Sequence, residues 1–472
     1  MKKIIILFIA ALVLASCESF VDIVPKGQTI PTTVDDYGEM MNNGSFSTDA
    51  ENLVTTDICY CVNFIEFLSD DFTAPEDPSS MMYTTFRNNS FVYNTLVWND
   101  ELWSAAEEDL NWNGLYKSNY IANFVLDNID NAEAGVVYTR EIVKARALVH
   151  RAFNYFELAN LYGKQYKAAT ASTDLAVPLV LESNINKQYP RATVAEVYEQ
   201  ILKDLELAIS LFDDTNPAFN NIPGKATAYA LRARTYLWMQ DYDKAYEDAT
   251  ASLKLRNTLI DYNTLSMLMP GIPAYGLAGY ETNKLINPEL LYSRYKTESL
   301  LGPYSEKLMA ITDTENDLRW KNFMASLAMM GIMENVNWVR ALNGGINISE
   351  VWLMKAEAAL RKSSPDVNAS LEALNHLREN RYAAATYKPI TTTNKDELLT
   401  EILNERRREL VYTDLSFLDK KRQNADPKTA KPMTRTIYGQ SYTMPVDDPR
   451  WQLLIPYNVM DFNSDQLVQN ER

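Results

Sequence analysis

The 472-residue chain is predicted to be mainly α, a helical-repeat scaffold carrying two irregular, loop-rich lobes. Three observations predict this. From Trp103 to about residue 256, apolar residues recur at three-to-four spacing. Two pairs of helical segments repeat one pattern of small and bulky residues. Ahead of the first pair and between the two pairs, the periodicity breaks and turn-forming residues accumulate.

The chain opens on Lys2 and Lys3, followed by an apolar run from Ile4 to Leu14. That run is too short to span a bilayer and reads as a secretory signal. Leu14-Ala15-Ser16-Cys17 resembles a bacterial lipobox, in which cleavage falls just before the Cys and that Cys is lipidated. An ordinary secretory signal with a chance Cys is the alternative. The expected mature chain starts at Cys17 and is held at a membrane by acyl (palmitate-type) chains, each buried CH₂ contributing roughly 0.8 kcal/mol.

Residues 17–94 are rich in Asp, Asn, Thr and Ser, and read as a tether followed by an irregular lobe. Residues 95–256 form the first helical-repeat region. Ile142, Ala145, Val149, Ala152, Phe156 and Ala159 mark one helix face. Thr193-Val194-Ala195-Glu196 is a capping box, followed by a buried stripe of Val194, Val197, Ile201, Leu205, Ala208 and Phe212. Tyr229, Ala233, Tyr236, Tyr242 and Ala245 stand at tetratricopeptide offsets around a Gln240-Asp241 turn. Residues 257–345 are an inserted loop-rich lobe, with seven of the 15 Gly between Gly271 and Gly345. The tetratricopeptide-like pattern returns in 346–422, as Ala356, Ala359 and Leu360 and then Leu371, Leu374 and Leu377. Residues 423–472 are Pro-punctuated and read as a wrapping tail. Stacked helix pairs of this kind form a superhelix with a concave face, and loops on such a scaffold commonly carry binding.

The formal net charge is −17, or −19 once Lys2 and Lys3 leave with residues 1–16. Such acidity argues against nucleic acid and against docking on anionic lipid, so lipidation must supply the membrane attachment. With 2 His and 3 Cys, a metal site is not expected, nor is any cofactor. Cys59 and Cys61, one residue apart, fit no common zinc or redox spacing and could be bridged or free.

Four segments together resemble the SusD/RagB-type nutrient-binding outer-membrane lipoproteins. They are the lipobox at Cys17; Trp112-Asn113-Gly114-Leu115-Tyr116 through Asn123; Asn404-Glu405-Arg406-Arg407-Arg408-Glu409-Leu410; and Leu454-Ile455-Pro456-Tyr457-Asn458 through Asn470. Ala145–Gly163 and Ser349–Ala358 also fit, so the resemblance spans most of the mature chain in order. It departs after Leu410, where the family's Glu-Gly pair is replaced by Thr413 and Asp414. The helix end there is expected to be shaped differently.

The resemblance implies a lipid-anchored, surface-facing outer-membrane protein. It would bind an oligosaccharide and pass it to a SusC-like TonB-dependent β-barrel transporter, with no chemistry of its own. Three rivals remain: a peptide binder of the same class, a surface glycan hydrolase, and a pure repeat scaffold. Glu405 and Glu409 share a helix face and could serve a glycosidase. The Arg residues between them would keep both ionised, however, and favour structural pairing. His150 and His376 read as packing or surface residues, and no phosphate loop appears.

Sugars stack C–H faces on aromatic rings while their hydroxyls seek amides, carboxylates and guanidinium groups. The expected ligand-binding residues are therefore Asp71 (beside Asp70), Trp98 and Asn99 (followed by Asp100) and Trp320 (beside Arg319), with Trp338 in the same inserted lobe. Trp112, Trp238 and Trp352 lie in helical repeats and are expected in the core.

Overall fold

The computed structural model describes residues 31–42, 65–79, 81–265, 267–269, 272–273, 286–294, 303–323, 343–411, 413–463 and 465–472. The leader 1–16, Cys17, Cys59, Cys61 and Trp338 lie outside these residues.

Among the described residues, three short helices come first: α1 (Val34–Asn42), α2 (Met81–Asn88) and α3 (Ser90–Leu96). The lobe expected to be irregular thus contains regular pieces. Each is nine residues or fewer, too short for the 11–18-residue windows (roughly) in which helical periodicity shows. Asn89 caps α3 by accepting from the Val92 amide.

The scaffold follows as α4 (Leu110–Asn128), α5 (Arg140–Tyr162), the strand pair β1 (Leu175–Pro178) and β2 (Arg191–Thr193), α6 (Val194–Leu211), α7 (Lys225–Trp238) and α8 (Tyr242–Leu255). Their starts are set by side chains. Asp109 accepts from the Asn111 and Trp112 amides, Thr139 from Ile142, and Thr193 with Glu196 forms the expected capping box. Gly163 ends α5 tightly against β1, where an added Cβ would stand 3.0 Å from the Ala176 Cα. The turn between α7 and α8 places Gln240 at φ +62 and lets Asp241 cap α8.

Next come β3 (Met267–Met269), β4 (Ile272–Pro273), β5 (Leu290–Tyr292), α9 (Glu306–Met309), α10 (Leu318–Phe323) and β6 (Ile346–Asn347). β5 pairs antiparallel with β6. The helices resume as α11 (Ile348–Arg361), α12 (Val367–Glu379), α13 (Lys395–Glu409) and α14 (Leu415–Gln423). Neighbours pack in series, α4 on α5, α5 on α6, α6 on α7, α7 on α8 and α11 on α12; α8 packs directly on α11, skipping what lies between them in sequence. Trp238 is fully buried, Trp112 buried and Trp352 half-buried against the core. Asp414, at φ +66, starts α14 in the left-handed region at the place where the sequence departs from the Glu-Gly of the family it resembles.

The C-terminal region is more ordered than a wrapping tail. β7 (Met433–Ile437) and β8 (Gln440–Met444) form a hairpin, followed by α15 (Tyr457–Phe462). Its two-residue turn, Tyr438-Gly439, has φ +50 and +78, the conformation that suits the right-handed twist of a hairpin. Met433, Arg435 and Ile437 point inward while Thr434 and Thr436 face out. Beyond it, Asn470 donates to the Tyr162 and Leu453 carbonyls at 2.8 and 2.6 Å.

A separate apolar cluster unites the N-terminal lobe with these late elements: Phe67, Phe72, Phe86, Val92, Leu96, Tyr304, Leu308 and Ile437.

Candidate functional site

The charged helix α13 carries Glu405 and Glu409, the pair of carboxylates a glycosidase would need. Glu405 is fully buried and pairs with Arg319 at 2.6 Å, Arg378 at 2.5 Å and Arg408 at 2.6 Å. Burial opposes its charge, but Arg319, Arg408 and Arg378 outweigh burial and hold the carboxyl well below its ordinary value. Glu409 pairs with Arg319 at 2.8 Å and Arg381 at 3.0 Å. Arg406 bonds Asp419 at 2.6 Å, and Arg407 bonds Asp71 and Asp70. The motif therefore ties four segments together. A carboxylate held ionised by three guanidinium groups cannot act as a general acid at neutral pH.

Both histidines are likewise occupied. His150 is fully buried, with Nδ1 2.7 Å from the Tyr292 hydroxyl. His376 lies against the Trp352 ring, at a centroid distance of 4.5 Å, and pairs with Glu379. Among the described residues, no group of three His, Cys, Asp or Glu could hold a metal ion.

The four residues singled out in the sequence fall around one lobe but at different depths. Asp71 is fully buried, with its carboxylate on Arg407. Trp98 is 1% exposed; its indole N–H donates to the Leu68 carbonyl at 2.8 Å, and the Arg435 guanidinium covers its ring at 4.1 Å. With that ring enclosed, a ligand would not reach its face in this conformation. Trp98 also sits at φ +51, a backbone state that surrounding structure must hold in place. Asn99 is exposed and donates to the Asn94 side-chain oxygen at 3.2 Å. Trp320 is half-buried at the rim of the second apolar cluster, 6.4 Å from Tyr304 between ring centroids. Asp71 and Trp98 thus share the lobe's interior, and Asn99 and Trp320 its surface.

At the rim of the same cluster the structure gathers aromatics that the sequence reading does not single out. Tyr83 on α2, Tyr93 on α3, and Tyr438 and Tyr442 on the hairpin are all half-exposed. Tyr438 lies 4.9 Å from Tyr83, edge to face, and 6.3 Å from Tyr93, nearly parallel at 11°. Arg87 is exposed, donates to the Tyr83 hydroxyl at 2.6 Å and lies 5.6 Å from the Tyr438 ring centre. Burial and the nearby Tyr83 push the Tyr438 phenol up to about 12, so it stays protonated at neutral pH. Its oxygen is buried and has no partner. The signal that could have found this face is the alternation Met433, Arg435, Ile437 ahead of Tyr438-Gly439, a hairpin that carries Tyr to its tip.

Residues 37–237 match a SusD-like family model described as starch-binding associating with outer membrane, and residues 337–471 match the SusD family model. Among curated relatives, SusD-like protein P2 of Formosa agariphila is 36% identical over 107 residues, covering 23% of this chain and 19% of that protein. SusD-like protein P38 of the same organism is 21% identical over 470 aligned residues, covering 83% of this chain and 86% of that protein. A SusD superfamily protein of Bacteroides thetaiotaomicron shares the fold at a TM-score of 0.65, with 21% identity and 93% and 100% of the two chains covered. A SusD-like carbohydrate binding protein of Bacteroides vulgatus does so at 0.60, with 18% identity and 92% and 97% covered. With SusD-type family models matching residues 37–237 and 337–471, together more than half of the chain, the chain belongs to the SusD/RagB family.

Proposed function

We propose that this chain is an outer-membrane lipoprotein, anchored by acyl chains at Cys17, that binds an oligosaccharide and delivers it to a SusC-like TonB-dependent transporter. The family membership supports this reading, as does the likeness to a structural neighbour described as carbohydrate binding. The leader ending in Leu14-Ala15-Ser16-Cys17 supports the anchor.

The observation that carries the binding role is the tyrosine face. Tyr83, Tyr93, Tyr438 and Tyr442 offer half-exposed rings of differing tilt beside the exposed Arg87. Rings supply apolar area for sugar C–H faces, and the hydroxyls and guanidinium supply polar partners. Asn99 and Trp320 extend this surface in our reading. Asp71 and Trp98 act beneath it, holding the lobe in shape. The protein's part is capture rather than catalysis. A tether keeps it at high effective concentration beside its channel, so modest affinity suffices.

The test is intrinsic fluorescence of the lipid-free protein, beginning at Glu18, titrated with a panel of neutral oligosaccharides and basic peptides. Saturation by one glycan class, weakened about tenfold or more in Tyr438→Ala, is the expected result. Saturation by peptides alone would replace the substrate class, and glycan binding untouched by Tyr438→Ala would remove the tyrosine face.

A further inference from the structure

We propose that the cleft between α13 and α14 is a second ligand subsite, one that takes an oxyanion, a carboxylate or a sulfate ester, carried on a glycan. The cleft encloses about 500 Å³. Its walls come from the two helices and from the segment leading to β7. Its charge runs against that of the molecule: Arg406, Arg407, Lys420, Lys428 and Lys431 line it with only two carboxylates, Asp396 and Asp419, in a chain of net charge −17.

The charges divide into two kinds. Arg406 is paired with Asp419 and Glu350, Arg407 with Asp70 and Asp71, and Lys420 with Asp70. These hold the walls together. Lys428 and Lys431 are exposed and make no ion pair among the described residues. Deeper in, the Ser416 hydroxyl is buried, with the residue 6% exposed, and has no hydrogen-bond partner. Arg406 is 1% exposed, and its Nη1 is also without an acceptor. Unpaired buried polar atoms are costly; these two are among twenty-three in the described residues, and both belong to residues that line this basic cleft. An oxyanion in the cleft would serve as their acceptor, and the exposed ammonium groups of Lys428 and Lys431 line the same cleft to meet its charge. Leu399 and Leu403 line the same cleft and give apolar surface for a sugar ring, which favours an anion borne on a glycan over a free ion. The cleft does not involve the tyrosine face, so each site can fail without the other.

The experiment is calorimetric titration of the lipid-free protein with oligosaccharides of equal length that are neutral, uronate-bearing or sulfated, and with sodium sulfate alone. Anionic glycans should bind about tenfold more tightly than the neutral one, with the advantage shrinking as salt rises. In the double variant Lys428→Gln/Lys431→Gln the advantage should vanish while neutral binding persists. Ser416→Ala should reduce the advantage in part. Tyr438→Ala should weaken all the glycans together and leave the advantage intact. Equal affinity for neutral and anionic glycans overturns the proposal, as does an advantage that survives the double lysine variant. Sulfate alone binding as tightly as the sulfated glycan overturns the assignment to a glycan.

Discussion

Arg435 covers the ring of Trp98 at 4.1 Å and, from the same guanidinium, donates to the carbonyls of Phe67, Ser69 and Thr95 at 2.8, 2.8 and 2.9 Å. One side chain of the C-terminal hairpin thereby fastens the interior of the N-terminal lobe. The two residues separate stability from binding. Trp98→Ala should destabilise the protein by about 3–5 kcal/mol, as an enclosed aromatic does when removed. Tyr438→Ala, on the half-exposed face, should cost less than about 1 kcal/mol while weakening glycan binding. Urea melts alongside titrations check the contrast, and equal stability losses in the two variants would refute it.

Glu357 gives the acid limb of the stability curve. Burial opposes its charge, but Arg422 and Arg361 bring its pKa down to about 2 from an ordinary 4.5. A folded pKa below the unfolded one means the stabilisation is fully present above about 4.5 and is lost as pH falls toward 2. Glu357→Gln should therefore lower Tm strongly at pH 7, by an amount equivalent to about 3–5 kcal/mol. It should lower Tm much less at pH 3. A loss of the same size at both pH values would show that the carboxylate charge is not what matters.

Gly345 is forced by contact. A Cβ there would stand 2.0 Å from the Tyr292 carbonyl oxygen, across the β5–β6 pair, and the Gly345 carbonyl accepts from buried Arg234 at 2.8 Å. Gly345→Ala should cost about 1–3 kcal/mol through backbone displacement, read as a lower urea midpoint with an unchanged slope.

Gln240 offers the opposite sign. At φ +62 between α7 and α8, a residue with a Cβ costs about 1–2 kcal/mol, partly offset by the greater freedom of an unfolded glycine. Gln240→Gly should raise stability by about 0.5 kcal/mol, and a fall in Tm would count against the strain.

The helical scaffold was legible because its signals are local. The capping box at Thr193, the Ala and Tyr offsets around Gln240 and the stripe from Ile142 to Ala159 are each built from residues a few positions apart, and the structure places helices on them. Pairing of Glu405 with Arg408 was readable for the same reason. What escaped is long-range. Nothing near Trp98 in sequence announces that Arg435 will cover it, and nothing near Tyr83 announces Tyr438. An indole beside an amide and a carboxylate, as in Trp98-Asn99-Asp100, reads the same whether its ring ends outside or beneath a hairpin. Burial of that ring is decided by a segment more than three hundred residues away.

The tyrosine face is assembled from both ends of the polypeptide, with Tyr83 and Tyr93 early and Tyr438 and Tyr442 late. Other bonds span the same interval, from Glu66 to Asp414, Asp71 to Arg407, Trp98 to Arg450 and Asp100 to Arg472. Synthesis must reach the hairpin at Met433–Met444 before this surface can form. Any molecule seated there bridges the two ends of the chain and joins in holding the fold shut, making occupancy and resistance to unfolding a single quantity.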